Sequence, residues 1–261
     1  MKAAPAPPRR ARPRRFDVGS IVMLPLGIVV VLGAQVLEGG APLSLLQGAA
    51  ALIVFGGTMA AVLVSYSPQE VLAAVYKVAE TFRVVDTTTD KLAQRLVAIA
   101  GQAHRKGVMT LENELTAIDD PFLANGLALV IDGVAIEALR DITATERRAR
   151  EADEEAPARV FEAAAGYAPT LGILGAVIGL IQVMQHLSEP GALGSGIAVA
   201  FVATVYGVGS ANLIFLPLAG RLRERAHAAS RRRDLIAEAL FAIHARMNPR
   251  LVAQKLKALS A

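Results

Sequence analysis

The sequence has no cysteine among its 261 residues, which excludes disulfides, thiolate metal sites and thiol catalysis. Tryptophan is absent too, so the interfacial belt of indole rings common in membrane proteins is missing. The four histidines, His104, His186, His227 and His244, show no i,i+4 pairing of the kind that binds a metal on one helix face. No nucleophile–base pair, phosphate loop or metal cluster can be assembled from these residues. An enzyme is therefore not expected, and neither is a cofactor or a metal. No β-pattern and no internal repeat appears.

Apolar residues are abundant. They make up 54% of the chain, above the roughly 45–50% of a soluble domain, and the mean hydropathy is +0.45. Yet 19% of residues are charged, so a polar part must coexist with a membrane part. A bilayer core of about 30 Å takes about 20 helical residues. Four segments qualify, at residues 20–37, 43–66, 165–187 and 197–218. A basic stretch precedes the first, as in a signal peptide. Its apolar run is long and a second follows almost at once, so a retained helix is expected. The expected class is all-α: a polytopic membrane protein with four transmembrane helices and a helical cytoplasmic domain between helices 2 and 3.

Charge sets the predicted topology. Lys2, Arg9, Arg10, Arg12, Arg14 and Arg15 precede the first span; Arg221, Arg223, Arg225 and the run Arg231 to Arg233 follow the last. The links 38–42 and 188–195 contain no Lys or Arg. By the positive-inside rule both termini and the middle region lie in the cytoplasm. The expected organisation is a basic tail (1–19), helices 1 and 2 (20–66), a cytoplasmic helical domain (67–164), helices 3 and 4 (165–220) and a C-terminal tail (221–261). The basic clusters read as anchors on anionic membrane lipid, Arg231 to Arg233 included. Nucleic acid is not an expected partner, because no aromatic platform accompanies the charge.

In the middle region Leu92, Leu96, Ile99 and Ala103 share one helical face. Residues 121–136 are apolar but short, and Asp132 would cost about 2.5–3.5 kcal/mol inside a membrane span. A buried helix of the cytoplasmic domain is expected there. Residues 142–161 are charged on nearly all faces and read as a solvent-exposed helix.

Intramembrane carboxylates mark proton carriers, but between Ala165 and Gly220 the only acid is Glu189, in a turn. Tyr167, Thr170, Gln182, Thr204, Tyr206, Ser210 and Asn212 supply polar groups instead; the plainer reading of the small ones is helix–helix packing. Pro169 and Pro217 each leave a carbonyl one turn earlier without its amide partner. Both are expected near the cytoplasmic ends of their helices, at one depth, where a wet vestibule would satisfy the freed carbonyls.

The segments GYAPTLGILGAVIGL (166–180) and IAVAFVATVYGVGSANLIFLP (197–217), with FGGT (55–58), resemble the last two helices and the GGT element of the MotA flagellar stator proteins, in the wider MotA/TolQ/ExbB superfamily. That resemblance implies a homo-oligomeric ring, a pentamer, in the bacterial inner membrane. It would surround two copies of a single-span, peptidoglycan-binding MotB-type partner whose aspartate carries the ion. Ion flow would turn the ring against the rotor protein FliG. By analogy Pro169 and Pro217 would line the ion route. Sodium-driven relatives carry threonine at the positions of Ala176 and Thr204; the methyl group of Ala176 points to protons. In HRKGVMTLE (104–112), Glu112 matches the rotor-facing acid, while His104, with Arg105 beside it, occupies the position of the family arginine. A plainer reading of Glu112 is a solvated acid at a helix start.

Two other readings of the same residues stay open. The chain could energise another envelope machine, as TolQ and ExbB proteins do, or be a four-helix scaffold or small transporter. The last would normally carry its own membrane carboxylate or inverted repeats.

Overall fold

A computed structural model describes residues 18–82, 89–186, 188 and 190–260, and no strand occurs among them. Helix α1 spans Val18–Leu37, and a short 3₁₀ turn at Pro42–Leu45 leads into α2, Gly48–Ser65. Then follow α3 (Pro68–Thr81), α4 (Thr89–Lys106), α5 (Pro121–Ile131) and the 50-residue α6 (Ile136–Gln185). Helix α7 (Pro190–Ser210) passes through a π-helical segment, Ala211–Phe215, into α8 (Leu216–His244), and α9 spans Pro249–Ser260. Three described helices are long and apolar enough to cross a bilayer: α2, the apolar stretch of α6, and the run through α7 and α8. Pro25–Leu37 within α1 is a shorter apolar helix.

The chain divides into two compact units. The first comprises the described residues of Met1–Ala61, Val75–Val85 and Ala164–Pro217. Many of its large apolar side chains face outward, among them Val30, Leu52, Leu174, Ile181 and Phe201. Such a surface suits hydrocarbon as its solvent.

The second comprises Val62–Ala74, Asp86–Ala163 and Leu218–Ala261, again for the described residues. It has a conventional core. Leu96, Ile99 and Ala103 of α4 are buried there and Leu92 packs against them, along the face the periodicity predicts. Helix α5 is buried as expected, through Phe122, Leu123, Leu127 and Val130. Asp120 opens it: its Oδ1 accepts from the amides of Phe122 (3.0 Å) and Leu123 (3.3 Å), and Pro121 at the first turn needs no partner for an N–H. Asp132 closes it, and the chain reverses at Gly133, whose φ is +71°. The segment read as a C-terminal tail supplies much of this core: Leu235, Ile236, Leu240 and Ile243 of α8, and Val252 and Leu256 of α9. A Cβ at Gly126 would stand 2.2 Å from Leu240 Cδ1, so α5 and α8 meet almost backbone to side chain.

Two expectations for this unit need correction. Residues 142–161 are not solvated all round, and the arginines at 231–233 are not a free surface run. Arg233 is only 8% exposed and grips Glu154 bidentately, Nη1 to Oε1 at 2.8 Å and Nη2 to Oε2 at 2.6 Å. Arg232 pairs with Asp120 at 3.1 Å, Ser230 donates to Glu151 at 3.3 Å, and Arg147 and Arg223 pair with Asp234 and Glu162. The charges of α6 and α8 thus meet one another along a polar seam. The hydrogen bonds to Glu154 raise the Arg233 pKa against the opposing effect of burial, so this guanidinium stays charged. The basic residues at 2–15 lie outside the described residues.

Candidate functional site

Within the first unit, small residues set how α6 and α7 meet. A Cβ at Gly207 would lie 2.5 Å from the Ala168 carbonyl oxygen, 3.0 Å from Gly172 Cα and 3.2 Å from Pro169 Cα. At Gly172 it would lie 2.9 Å from the Ala203 carbonyl oxygen and 3.4 Å from Thr204 Cα, and at Gly179 it would strike the backbone of Gly196 and Ala200. The two helices therefore run antiparallel with their backbones nearly touching, as small residues permit between membrane helices. Helix α2 joins them: Gly57 sits against Leu171, Ile53 against Gly175, and Ala50 and Val54 pack with Val202 and Ala203.

This register fixes where the expected ion-route residues stand. Pro169 lies beside Gly207, and Thr204 beside Gly172. Ala176 follows Gly175, whose position abuts Ala203, so Ala176 and Thr204 fall about one turn apart along the paired helices. Both are half-buried, and the Thr204 hydroxyl donates to its own helix, to the Ala200 carbonyl at 3.3 Å. Pro217 differs from expectation. It lies ten residues beyond Gly207, about 15 Å at 1.5 Å per residue, and so does not share a depth with Pro169. The prolines also act differently on the backbone. Pro217 offers no amide to the Leu213 carbonyl, and the helix widens into the π segment Ala211–Phe215 just before it. Helix α6 stays α-helical through Pro169.

Two polar groups of this unit carry more than their residue types announced. The Tyr206 hydroxyl donates to the Leu45 carbonyl and accepts from the Gln47 amide at 3.3 Å, and its ring lies 5.5 Å from that of Phe55. Tyr206 thereby ties the turn before α2 to α7. Thr58, of the Phe55–Thr58 element, is 3% exposed and its hydroxyl has no partner among the described residues. A buried, unpaired hydroxyl costs about 1–3 kcal/mol unless water or a partner satisfies it. The Gly-Gly-Thr sequence was the only signal that could have drawn attention to it.

The expected rotor-facing residues form a turn in the second unit. Helix α4 ends in His104, Arg105 and Lys106, and Gly107, with φ +87°, reverses the chain into Val108–Leu111 and Glu112. His104, Arg105 and Glu112 are all exposed. They are not equivalent: His104 Nδ1 is held 3.1 Å from the Arg246 carbonyl oxygen, whereas Arg105 lies back over Gly101 with no carboxylate partner among the described residues. Of the two basic candidates, Arg105 is the one free to meet an acid.

The MotA/TolQ/ExbB proton channel family matches residues 114–235. Motility protein A of Bacillus subtilis (strain 168) is 34% identical over 246 residues, 92% of this chain and 90% of the relative. Among solved structures, the flagellar MotAB stator complex from Bacillus subtilis is similar at 33% identity and a TM-score of 0.82, over 92% of this chain and 94% of that one. The C. jejuni MotAB structure gives 27% identity and a TM-score of 0.86, over 93% and 95%. With a relative 34% identical over nearly the full length of both chains, the chain belongs to the motility protein A family.

Proposed function

We propose that this protein is the stator subunit of a bacterial flagellar motor, a four-span inner-membrane protein with both termini cytoplasmic. The observation that carries the reading is the close-packed pair α6–α7, with Pro169 against Gly207 and polar Thr204 beside Gly172, in a stretch, 165–220, that holds no acid except Glu189. Such a pair can shape an ion route and cannot itself carry the ion. The carboxylate must come from a partner, a single-span MotB-type subunit bound to peptidoglycan, around which copies of this chain form a ring, a pentamer. The similar solved structures are of MotAB, which supports that partner. Torque on FliG passes through the His104–Glu112 turn, with Arg105 as the basic contact and Glu112 as the acidic one.

A proton is the coupling ion, because Ala176 presents a methyl group where a sodium route needs an oxygen. Motility is the test, measured in sodium-free medium and, separately, with a protonophore in sodium-replete medium at neutral pH. Swimming should persist in the first and stop in the second; the opposite pattern overturns the ion assignment. Pro169→Ala and Pro217→Ala should each abolish swimming while protein level and ring assembly hold. Normal swimming by both variants would reduce the prolines to helix irregularities.

A further inference from the structure

The first unit holds a pocket of about 410 Å³ that the stator reading leaves unused. Ile28, Val31 and Leu32 of α1 form one wall, and Val205, Gly209 and Leu213 of the α7 run form the other. Phe55 of α2 stands behind them, and the turn before α2 borders one end through Leu43 and Leu46. The opposite end is narrow: a Cβ at Gly27 would lie 3.1 Å from Leu213 Cδ2, so α1 and the α7 run touch there. Two local features keep the pocket open. Gly209 has no side chain, and a Cβ there would meet nothing within 4 Å. Both π-helical segments among the described residues, Leu52–Gly56 and Ala211–Phe215, contribute to the lining, the first through Phe55 and the second through Leu213 and Ile214. A widened turn disturbs the ridges by which helices interlock, and such segments gather at functional sites.

Chemistry and size select the occupant. The two hydroxyls at the pocket are committed, Tyr206 to the Leu45 carbonyl and the Gln47 amide, Ser210 to the Gly207 carbonyl at 3.2 Å. The remaining lining is apolar, so a ligand that brought hydrogen-bonding groups would bury them unmet. From Val205 to Leu213 is about 12 Å along the helix, close to one leaflet of a bilayer core about 30 Å thick. Over that length the volume leaves a bore of roughly 6–7 Å, too narrow for a helix about 10–12 Å across. A methylene chain, about 4–5 Å across, fits it. At the turn end no Lys or Arg lies between Glu38 and Gln47, so nothing there selects an anionic head group.

We propose that this pocket is a resident lipid site. It takes one acyl chain of a membrane phospholipid, laid along the α7 run from the turn at Pro42–Leu45 toward Gly27, and it recognises the chain rather than the head group. The inference rests on the four-span reading, which puts α1 in hydrocarbon, and its test separates the two.

The chain has no tryptophan, so a single introduced indole reports alone. Leu46→Trp places it at the mouth of the pocket, where the side chain is 72% exposed. Val30→Trp, at 61%, places it on α1 outside the pocket. Each full-length protein, in detergent, is titrated with a phospholipid brominated on its acyl chains, and quenching of the indole is read. Leu46→Trp should be quenched saturably, with completion near one lipid per chain, and Val30→Trp only in proportion to the lipid in the micelle. Gly209→Phe, which fills the pocket, should abolish the saturable step at position 46 and leave quenching at position 30 as it was. Val205→Phe should do the same from the neighbouring turn, and decides the matter if Gly209→Phe does not fold. Native mass spectrometry of the otherwise unaltered protein, extracted in mild detergent, should show one phospholipid per chain, reduced at least tenfold by Gly209→Phe. Proportional quenching at both positions would mean surrounding lipid only. Quenching at position 30 without quenching at position 46 would mean that a neighbouring copy, or α1 itself, covers the pocket. Either result overturns the proposal, as does a saturable step that survives the Phe variants, or a bound quinone in place of phospholipid. Quenching at neither position would take α1 out of hydrocarbon and refute the four-span reading, and this site with it.

Discussion

The Arg233–Glu154 pair allows a quantitative prediction because its two halves are unequally buried. The Arg233 side chain is 8% exposed, whereas that of Glu154 is 32% exposed. Removing Glu154 strands a buried guanidinium, and breaking a fully buried pair costs about 3–5 kcal/mol. The partial exposure of Glu154 means that water already shares its carboxylate, which lowers the expected loss for Glu154→Leu to about 2–3 kcal/mol. Removing Arg233 instead leaves a carboxylate that can turn to water. Leucine keeps most of the buried stem, so Arg233→Leu should cost only about 1 kcal/mol. The double variant should lose less than the sum, since both charges leave together. Hydrogen exchange of the α8 amides around Arg233 in the purified protein reads these values as local opening. Exchange should quicken about 30- to 140-fold in Glu154→Leu, at about 1.4 kcal/mol per tenfold, and only about fivefold in Arg233→Leu. If Arg233→Leu matched or exceeded Glu154→Leu, or if the double variant were additive, the buried-pair reasoning would be wrong.

Two further outcomes follow from the backbone. Gly207→Ala puts a methyl group 2.5 Å from the Ala168 carbonyl oxygen, which only a shift of α6 against α7 can relieve, so detergent-solubilised protein should melt several degrees lower; Gly209→Ala, where the added carbon meets nothing within 4 Å, is the control and should not. At the start of α3, Ser67 and Glu70 form a reciprocal capping box, with the Ser67 amide donating to Glu70 Oε2 at 2.7 Å and the Glu70 amide to Ser67 Oγ at 3.3 Å. The Ser67 hydrogen bonds lower the Glu70 pKa below its ordinary 4.5, so the stabilisation is present above that value and is lost as pH falls through the lowered one. Protection of the first α3 amides from exchange should therefore decline on acidification below about pH 4.5 in the native chain, and show no such step in Glu70→Gln.

Much of the fold was legible because it rests on local periods. The apolar stretches of α2, α6 and the α7–α8 run, the α4 face of Leu96, Ile99 and Ala103, and the burial of α5 each follow from residues a few positions apart. The site was legible only as a set of residue names. That Pro169 and Thr204 stand beside Gly207 and Gly172, while Pro217 lies some 15 Å further along, depends on a register that no period encodes. The arginines at 231–233 show the limit most plainly. Read along the chain, they are a basic run next to a span, and an anchor on lipid is the natural inference. In the folded protein Arg233 meets Glu154, 79 residues away, and the cation becomes part of the interior. Sequence determined which helices form and which faces are apolar, because hydrophobic burial and hydrogen bonding within a helix depend on near neighbours. Tertiary structure alone decided which charge meets which, because an ion pair depends on distance in space.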